Sequence, residues 1–478
     1  MTQTQQRARA ERAEPHTEAP KYTTGQLIAI IGTLAVAAFV MILNETVLTV
    51  ALPSLMADFG ISAATAGWFT TGFLLTMAIC IPLTGYLMQR FSTKSLFLAA
   101  IVLFGVGTVV AALSTTFELM LVARIVQALG TAVIMPLLMT TTLRLVPAQH
   151  RGSIMGLNAV VISVGPAIGP TLAGLVIDAF TWHTLFWGMA VFAALALVAG
   201  AFALPKGRGQ SAGRLDVLSI LLSIVGFGGF VYGISKISEV GEGDLTPLIA
   251  LAVGLVALGG FGVRQQRLAL GGKAPLLNLA PLRDGSFLRS SLIIGIGFGV
   301  MLGSVVVLPV YLENGLGLST AAVGLSLLPG GLIQAIIAPI AGRIYDRRGP
   351  AVLVIPGGLF LTVGQWGLAT VGADTPVWFV ITCHTVFGAG MALVLSALMT
   401  HSLGSLPREL YGHGSAILNT WQQLAGAIGT AAFLTAFGIA QAALGSVAEA
   451  ARWPFVVGGA LTLVAFALAF TIRRHPRS

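Results

Sequence analysis

Two ionisable residues sit inside otherwise apolar stretches: Glu45, in the run Leu43, Asn44, Glu45, Thr46, Val47, and Arg124, in the run Val122, Ala123, Arg124, Ile125, Val126. A carboxylate removed from bulk water and exposed to a cation takes up or releases a proton as its surroundings change. Proton carriage is therefore the chemistry expected of Glu45, with Arg124 as the charge acting on it; the bland alternative is a permanent ion pair between two helices. Counted from the ends of their stretches, the two stand at similar depth. Glu313, beside Tyr311 and Asn314 at the end of another apolar run, offers a second proton or cation site, or simply a solvated helix end. His384 and His401 can titrate near neutrality, although an isolated histidine more often serves as hydrogen-bonded packing. Cys80 and Cys383 both fall in apolar runs, which argues against a disulfide framework or a cysteine metal site. No H-E-x-x-H, G-x-S-x-G or G-x-x-x-x-G-K-[ST] pattern occurs, so neither an enzyme nor a built-in ATPase is expected.

The elements that must position these groups follow from composition. Of 478 residues, 56% are hydrophobic and only 9% charged, where a soluble domain carries about 25% charged residues. Mean hydropathy is +0.91, and apolar runs long enough to cross a bilayer, about 20 residues each, recur along the chain. The reading is an all-α polytopic membrane protein. In a soluble chain the net charge of +9 would suggest nucleic acid as a partner. Here the basic residues lie in short connections between apolar runs, where membrane topology explains them and no nucleic-acid partner is expected.

Fourteen spans are expected, at about 25–50, 67–88, 95–114, 118–140, 152–177, 183–204, 215–237, 246–266, 288–312, 319–342, 351–371, 376–402, 412–440 and 453–472. With both termini in the cytoplasm, every Lys and Arg except Arg124, Lys236 and Arg452 falls on the cytoplasmic side, as positive-inside topology requires. The opposite loops are short and acidic, with Asp58, Glu118, Asp374 and Glu449 among them. Residues 1–24 and 473–478 read as cytoplasmic tails, the first without fixed structure. Gly85, Arg90 and Lys94 follow span 2, and Gly342, Asp346, Arg347 and Gly349 follow span 10 with matching spacing. That repeat divides the chain into a six-helix half at 25–204, an inserted helix pair with its linkers at 205–287, and a second six-helix half at 288–472. Duplicated halves are how secondary transporters build one site between two alternating gates.

The loop pattern is similar to the G-x-L-x-D-R-x-G-R-K signature of the major facilitator superfamily, with Gln89 replacing the acid in the first copy. Span 4 carries Arg124, Gln127 and Gly130, similar to that family's R-x-x-Q-G-x-G stretch. Span 5 carries Gly165, Pro166, Gly169 and Pro170, which resemble the antiporter motif G-P-x-x-G-P. There the glycines would admit a neighbouring helix and the prolines would bend the span. Leu43 to Pro53 resembles L-D-x-T-V-x-N-V-A-L-P, with Asn44 at the usual acid position and the carboxylate one place on, as in lincomycin-resistance-like members of the fourteen-helix drug:proton antiporter branch.

The resemblance implies a major facilitator fold, gate latches at the two repeated loops and a proton-coupled multidrug exporter in a bacterial inner membrane. Such an exporter is driven by the proton gradient with no cofactor or metal, and is expected to act as a monomer among membrane lipids. Its substrates would be small lipophilic, often cationic compounds, for which aromatic faces and adaptable methionines suit a cavity. Candidate lining residues are Asn44, Trp68, Phe69, Phe73, Met77, Gln127, Met135, Phe298, Met301, Asn419, Trp421, Gln422 and Gln423. Export of an endogenous lipid or lipid-linked metabolite by the same fold is the nearest alternative, and a membrane-embedded enzyme a distant one.

Overall fold

A backbone in hydrocarbon must satisfy its own polar groups, and a helix does this within one segment. The computed structural model, which describes residues 22–205, 216–237, 240 and 243–472, accordingly consists of long helices joined by short turns. They are α1 (Thr24–Phe59), α2 (Trp68–Arg90), α3 (Thr93–Ala112), α4 (Phe117–Leu145), α5 (Arg151–Ala179), α6 (Trp182–Ala203), α7 (Val217–Ser235), α8 (Thr246–Leu270), α9 (Gly285–Val310), α10 (Thr320–Arg348), α11 (Ala351–Leu368), α12 (Val377–Gly404), α13 (Tyr411–Leu444) and α14 (Arg452–Ala469). Among the described residues, thirteen helical stretches are long and apolar enough to cross a membrane. Helix α5, 29 residues long, stands beside them as a fourteenth.

Local chemistry sets the ends. Ser92, Thr116, Asp216, Asp284 and Ser319 each accept a hydrogen bond from a first-turn backbone N–H, starting α3, α4, α7, α9 and α10. Helix α1 outruns its expected end near residue 50: it continues through Pro53 to Phe59 and stops at Gly60, whose φ of 63° suits glycine. Beyond α9 the chain makes one π-helical turn, Tyr311–Gly315, and Glu313 is exposed on it.

Helices α1 and α3–α6 enclose one apolar core, and α9–α14 enclose most of another. The halves meet along two seams, α5 against α10 and α2 against α13. The pair α7 and α8 packs together and against α2, where Trp68 stacks on Tyr232 with ring centres 6.0 Å apart. Asp216 and Arg264 clasp the base of this pair at 2.6 and 2.7 Å. The guanidinium, aided by Ser219, holds the Asp216 carboxyl down at about 2. An acid lowered in this way keeps its clasp above its unfolded value and loses it only as pH falls towards 2.

Close helix approach depends on glycine at particular crossings. Gly429 on α13 lies on the backbone of Gly299 on α9, so a β-carbon there would overlap that carbonyl. Gly429→Val is therefore expected to lower stability by about 1–3 kcal/mol or more, the usual cost of overpacking. The check is loss of the monodisperse peak and a lower Tm in detergent.

Candidate functional site

Arg124 is completely buried. A guanidinium in that position must be satisfied by neighbours, and the sequence supplies them one turn away and on two adjacent helices. Its Nη1 donates to Gln127 Oε1 at 2.9 Å and its Nε to the Phe69 carbonyl at 3.4 Å, while the Phe73 ring lies 4.2 Å from its charge centre. Gln127 is used at both ends, because its Oε1 also accepts from Asn44 Nδ2 at 3.2 Å and its Nε2 donates to Thr108 at 3.0 Å.

Glu45 is placed differently from a simple ion-pair partner. It is half-buried and within electrostatic reach of Arg124, yet no ion pair of 4.0 Å or less joins them among the described residues. One helical step turns a side chain by about 100°. Asn44 thus points into the Arg124 network and Glu45 sits beside it. The arrangement gives an acid two opposing influences, a cation that favours its anion and apolar surroundings that favour its neutral form. Gln127→Leu would strip a charge-assisted hydrogen bond, worth about 1.5–3 kcal/mol, from a buried cation. The expected result is a lower Tm and lower yield of folded protein, with Gln127→Glu less damaging.

Gly165 and Gly169 put α5 directly on the turn of α1 that carries Glu45. A β-carbon at 165 would come 2.6 Å from the Ile42 side chain, and one at 169 would overlap the Thr46 hydroxyl. The side chains of Pro166 and Pro170 lie outside the described residues. The same helix α5 forms a seam with α10, so one rod touches both the carboxylate's turn and the opposite half.

At the end of the bundle that carries the basic loops, the seams are closed. The Asp346 carboxylate at the end of α10 accepts from Gly152 N at 2.6 Å, Ser153 N at 2.8 Å and Ser153 Oγ at 2.6 Å, capping α5 from the other half. Gly342 lies against Gly152, where any side chain would overlap the Gly152 carbonyl, and Gly349, with φ of 74°, ends α10. Arg90 and Arg347 are exposed, and Lys94 donates to the Ala201 carbonyl.

On the other seam Gln89, in place of an acid, meets His413 of α13 at 2.9 Å, and Gly85 leaves room for that ring. His413 Nδ1 accepts from Asn278 N at 3.2 Å, which assigns the proton to Nε2 and requires Gln89 to present its oxygen. Arg151 Nη1 donates to Tyr411 Oη at 3.2 Å, and Ser415 Oγ to the Pro136 carbonyl at 3.2 Å. Sequence reasoning missed His413, Asn278, Arg151 and Tyr411; the one pointer was the acid missing at Gln89.

The remaining lining candidates are dispersed. Phe69 and Phe73 are buried around Arg124, and Met77 packs with Phe73, Ala128 and Ala132. Trp68 is engaged with Tyr232 of α7, and Trp421 donates to the Ser291 carbonyl at 2.8 Å, tying α13 to α9; both rings serve helix contacts. Met135 packs against both cores, and Asn419 donates to the Ser415 carbonyl and to Met139 Sδ across the halves. Phe298, Met301 and Gln423 are half-buried, and Gln422 is buried with no partner for its Nε2 among the described residues. The described residues contain no group of three or more His, Cys, Asp or Glu placed to hold a metal ion.

Comparison with known proteins agrees with this architecture. The chain is 39% identical over 439 residues, 91% of each sequence, to the lincomycin resistance protein LmrB of Bacillus subtilis (strain 168). It is 29% identical to the tetracenomycin C resistance and export protein of Streptomyces glaucescens, over 83% of this chain and 74% of that one. The proton:xylose symporter XylE superposes with a TM-score of 0.67 at 17% identity, covering 95% of this chain and 97% of that one, which speaks to fold alone. Residues 34–430 match the Major Facilitator Superfamily profile. With its two helical halves, paired seams and buried charge network, the chain is a multi-pass membrane transporter, not an enzyme, and belongs to the Major Facilitator Superfamily.

Proposed function

We propose that the chain exports small lipophilic, often cationic compounds in exchange for protons moving inward, by alternating access in a bacterial inner membrane. The observation that carries the proposal is the place of Glu45: half-buried beside an enclosed Arg124, on the turn of α1 against which Gly165 and Gly169 seat α5. With the basic loops cytoplasmic, the closed seams act as the cytoplasmic gate in this reading.

Protonation of Glu45 from outside removes its attraction to Arg124 and changes the packing of Ile42 and Thr46 against α5. Because α5 also bears the seam capped by Asp346, the proton state of one acid biases the gate. A proton that binds the two conformations unequally is what allows a gradient to drive the cycle. The relatives named for lincomycin resistance and for tetracenomycin C resistance and export support small-molecule drugs as cargo.

The test uses inverted membrane vesicles with an imposed proton gradient. Ethidium accumulation that a protonophore abolishes is expected. Accumulation indifferent to the gradient would overturn proton coupling, and transport of fluorescent lipid in place of any dye would overturn the cargo.

A further inference from the structure

The two halves carry a correspondence finer than their loops. Leu138, Met139 and Thr140 recur as Leu398, Met399 and Thr400; Pro147 recurs as Pro407; and the 3-10 turn Ala148–His150 recurs as Arg408–Leu410. Equal steps back from the two prolines lead to Arg124 on α4 and His384 on α12. Equal steps back from Gly85 and Gly342 lead to Phe73 on α2 and Gly330 on α10, and from Pro53 and Pro309 to Glu45 on α1 and Met301 on α9.

The structure makes the corresponding contacts. Helix α4 packs on both α1 and α2, and α12 packs on both α9 and α10. Arg124 lies over the Phe73 ring; the His384 ring lies against Gly330, where a β-carbon would overlap its Cδ2 and come 2.6 Å from its Nε2. Each half therefore carries one nitrogenous side chain at the corresponding position of a helix that packs on the corresponding two neighbours.

What differs is how each is satisfied. Around Arg124 stand Gln127, the Phe69 carbonyl and the nearby charge of Glu45. At the matching places around His384 stand Phe387, Met301 and Ser326, and the Ser326 hydroxyl donates to the Ala322 carbonyl. His384 Nδ1 is buried with no partner among the described residues, although the residue as a whole is only half-buried. A buried polar atom without a partner costs free energy and calls for an explanation outside the chain's own packing.

We propose that His384 is the hydrogen-bonding anchor of a substrate subsite in the C-terminal half, taking an N–H or O–H donor of an amphipathic organic molecule whose apolar body lies along α9, α10 and α12. This rests on the export reading. Gly330 supplies the space that lets the imidazole turn between its packed position and a bound donor, while the N-terminal half keeps its own cation locked for proton coupling.

The test compares two cationic xanthene dyes that differ in donor capacity, rhodamine 6G with two N–H groups and tetramethylrhodamine ethyl ester with none. Binding to the purified protein is measured by fluorescence polarisation. Wild type is expected to prefer rhodamine 6G by about tenfold in Kd, the scale of one hydrogen bond to an otherwise unpaired group. His384→Phe, which keeps the ring volume, is expected to erase that preference while leaving the affinity for the other dye within about twofold; His384→Gln, which keeps an acceptor, is expected to retain most of it. An unchanged preference in His384→Phe would overturn the subsite and leave the export reading intact. Loss of both dyes in a variant that elutes and melts like wild type would also overturn it, as a general packing role. Failure of wild type to bind or export either dye would overturn both readings together.

Discussion

Glu45→Gln is expected to reduce proton-driven dye accumulation by at least about 100-fold while leaving downhill exchange of dye in place. Without a titrating acid the gradient has no unequal hold on the two conformations, and a ligand with no differential affinity shifts nothing. The measurement is ethidium uptake in inverted vesicles at matched expression, alongside counterflow in vesicles preloaded with dye. Glu45→Asp shortens the side chain without removing its charge and should keep part of the coupling. Arg124→Lys forfeits the planar fork that serves Gln127 and the Phe69 carbonyl, and the stacking on Phe73. It is expected to lose coupling and stability together. Glu313→Gln, on an exposed turn, should behave as wild type. If coupling survived at Glu45→Gln and failed at Glu313→Gln, the proton site would lie at the outer end of α9.

Asp346→Asn is expected to open the seam between α5 and α10. The carboxylate accepts three hydrogen bonds at the N-terminus of α5, two from backbone N–H groups, where a helix favours negative charge. An amide keeps the shape but loses the charge and offers one acceptor oxygen. A loss of about 2–3 kcal/mol follows from the usual difference between charge-assisted and neutral bonds, equivalent to about 30- to 150-fold in the ratio of closed to open gates. Spin labels at the exposed positions Gln149 and Arg348 report on this seam. A second, longer distance population is expected in the variant, and an unchanged distribution would show that glycine packing alone holds the gate. At the other seam, Gln89→Leu removes one neutral hydrogen bond to His413 and should shift the same ratio by only about fivefold.

The unequal sizes of these effects come from a break in the internal repeat. Asp346 works as an anion at a helix start, whereas Gln89 meets a neutral imidazole already engaged by the linker at Asn278. The linker after α8 thereby reaches the gate: Gln265 donates to Ser219 at 2.7 Å and accepts from Leu277 N at 3.3 Å, and Leu276 and Leu277 are buried in the C-terminal core. Apolar spacing in α7 and α8 gives no hint of this, because the contacts are made by backbone atoms of a connecting segment.

The sequence by itself determined that this is a helical membrane transporter. Its low charge, long apolar runs, one-sided basic loops and repeated glycine-arginine loops are each local properties of the chain and leave few alternatives. It also singled out Glu45 and Arg124, since a charge in a span stands out by its cost alone, and Gly169 by its place in the stretch that resembles G-P-x-x-G-P. Only the tertiary structure decided what each residue faces. Asn44 and Glu45 are neighbours in sequence, and which of them enters the Arg124 network depends on the rotation of α1 against α4. Trp68 and Trp421 have the composition of cavity walls but are spent on helix contacts. The pairing of Asp346 with the start of α5, and of His413 with Gln89 and Asn278, joins residues from segments far apart in the chain. No short-range pattern encodes such pairs, because they are fixed by how two separately packed halves meet.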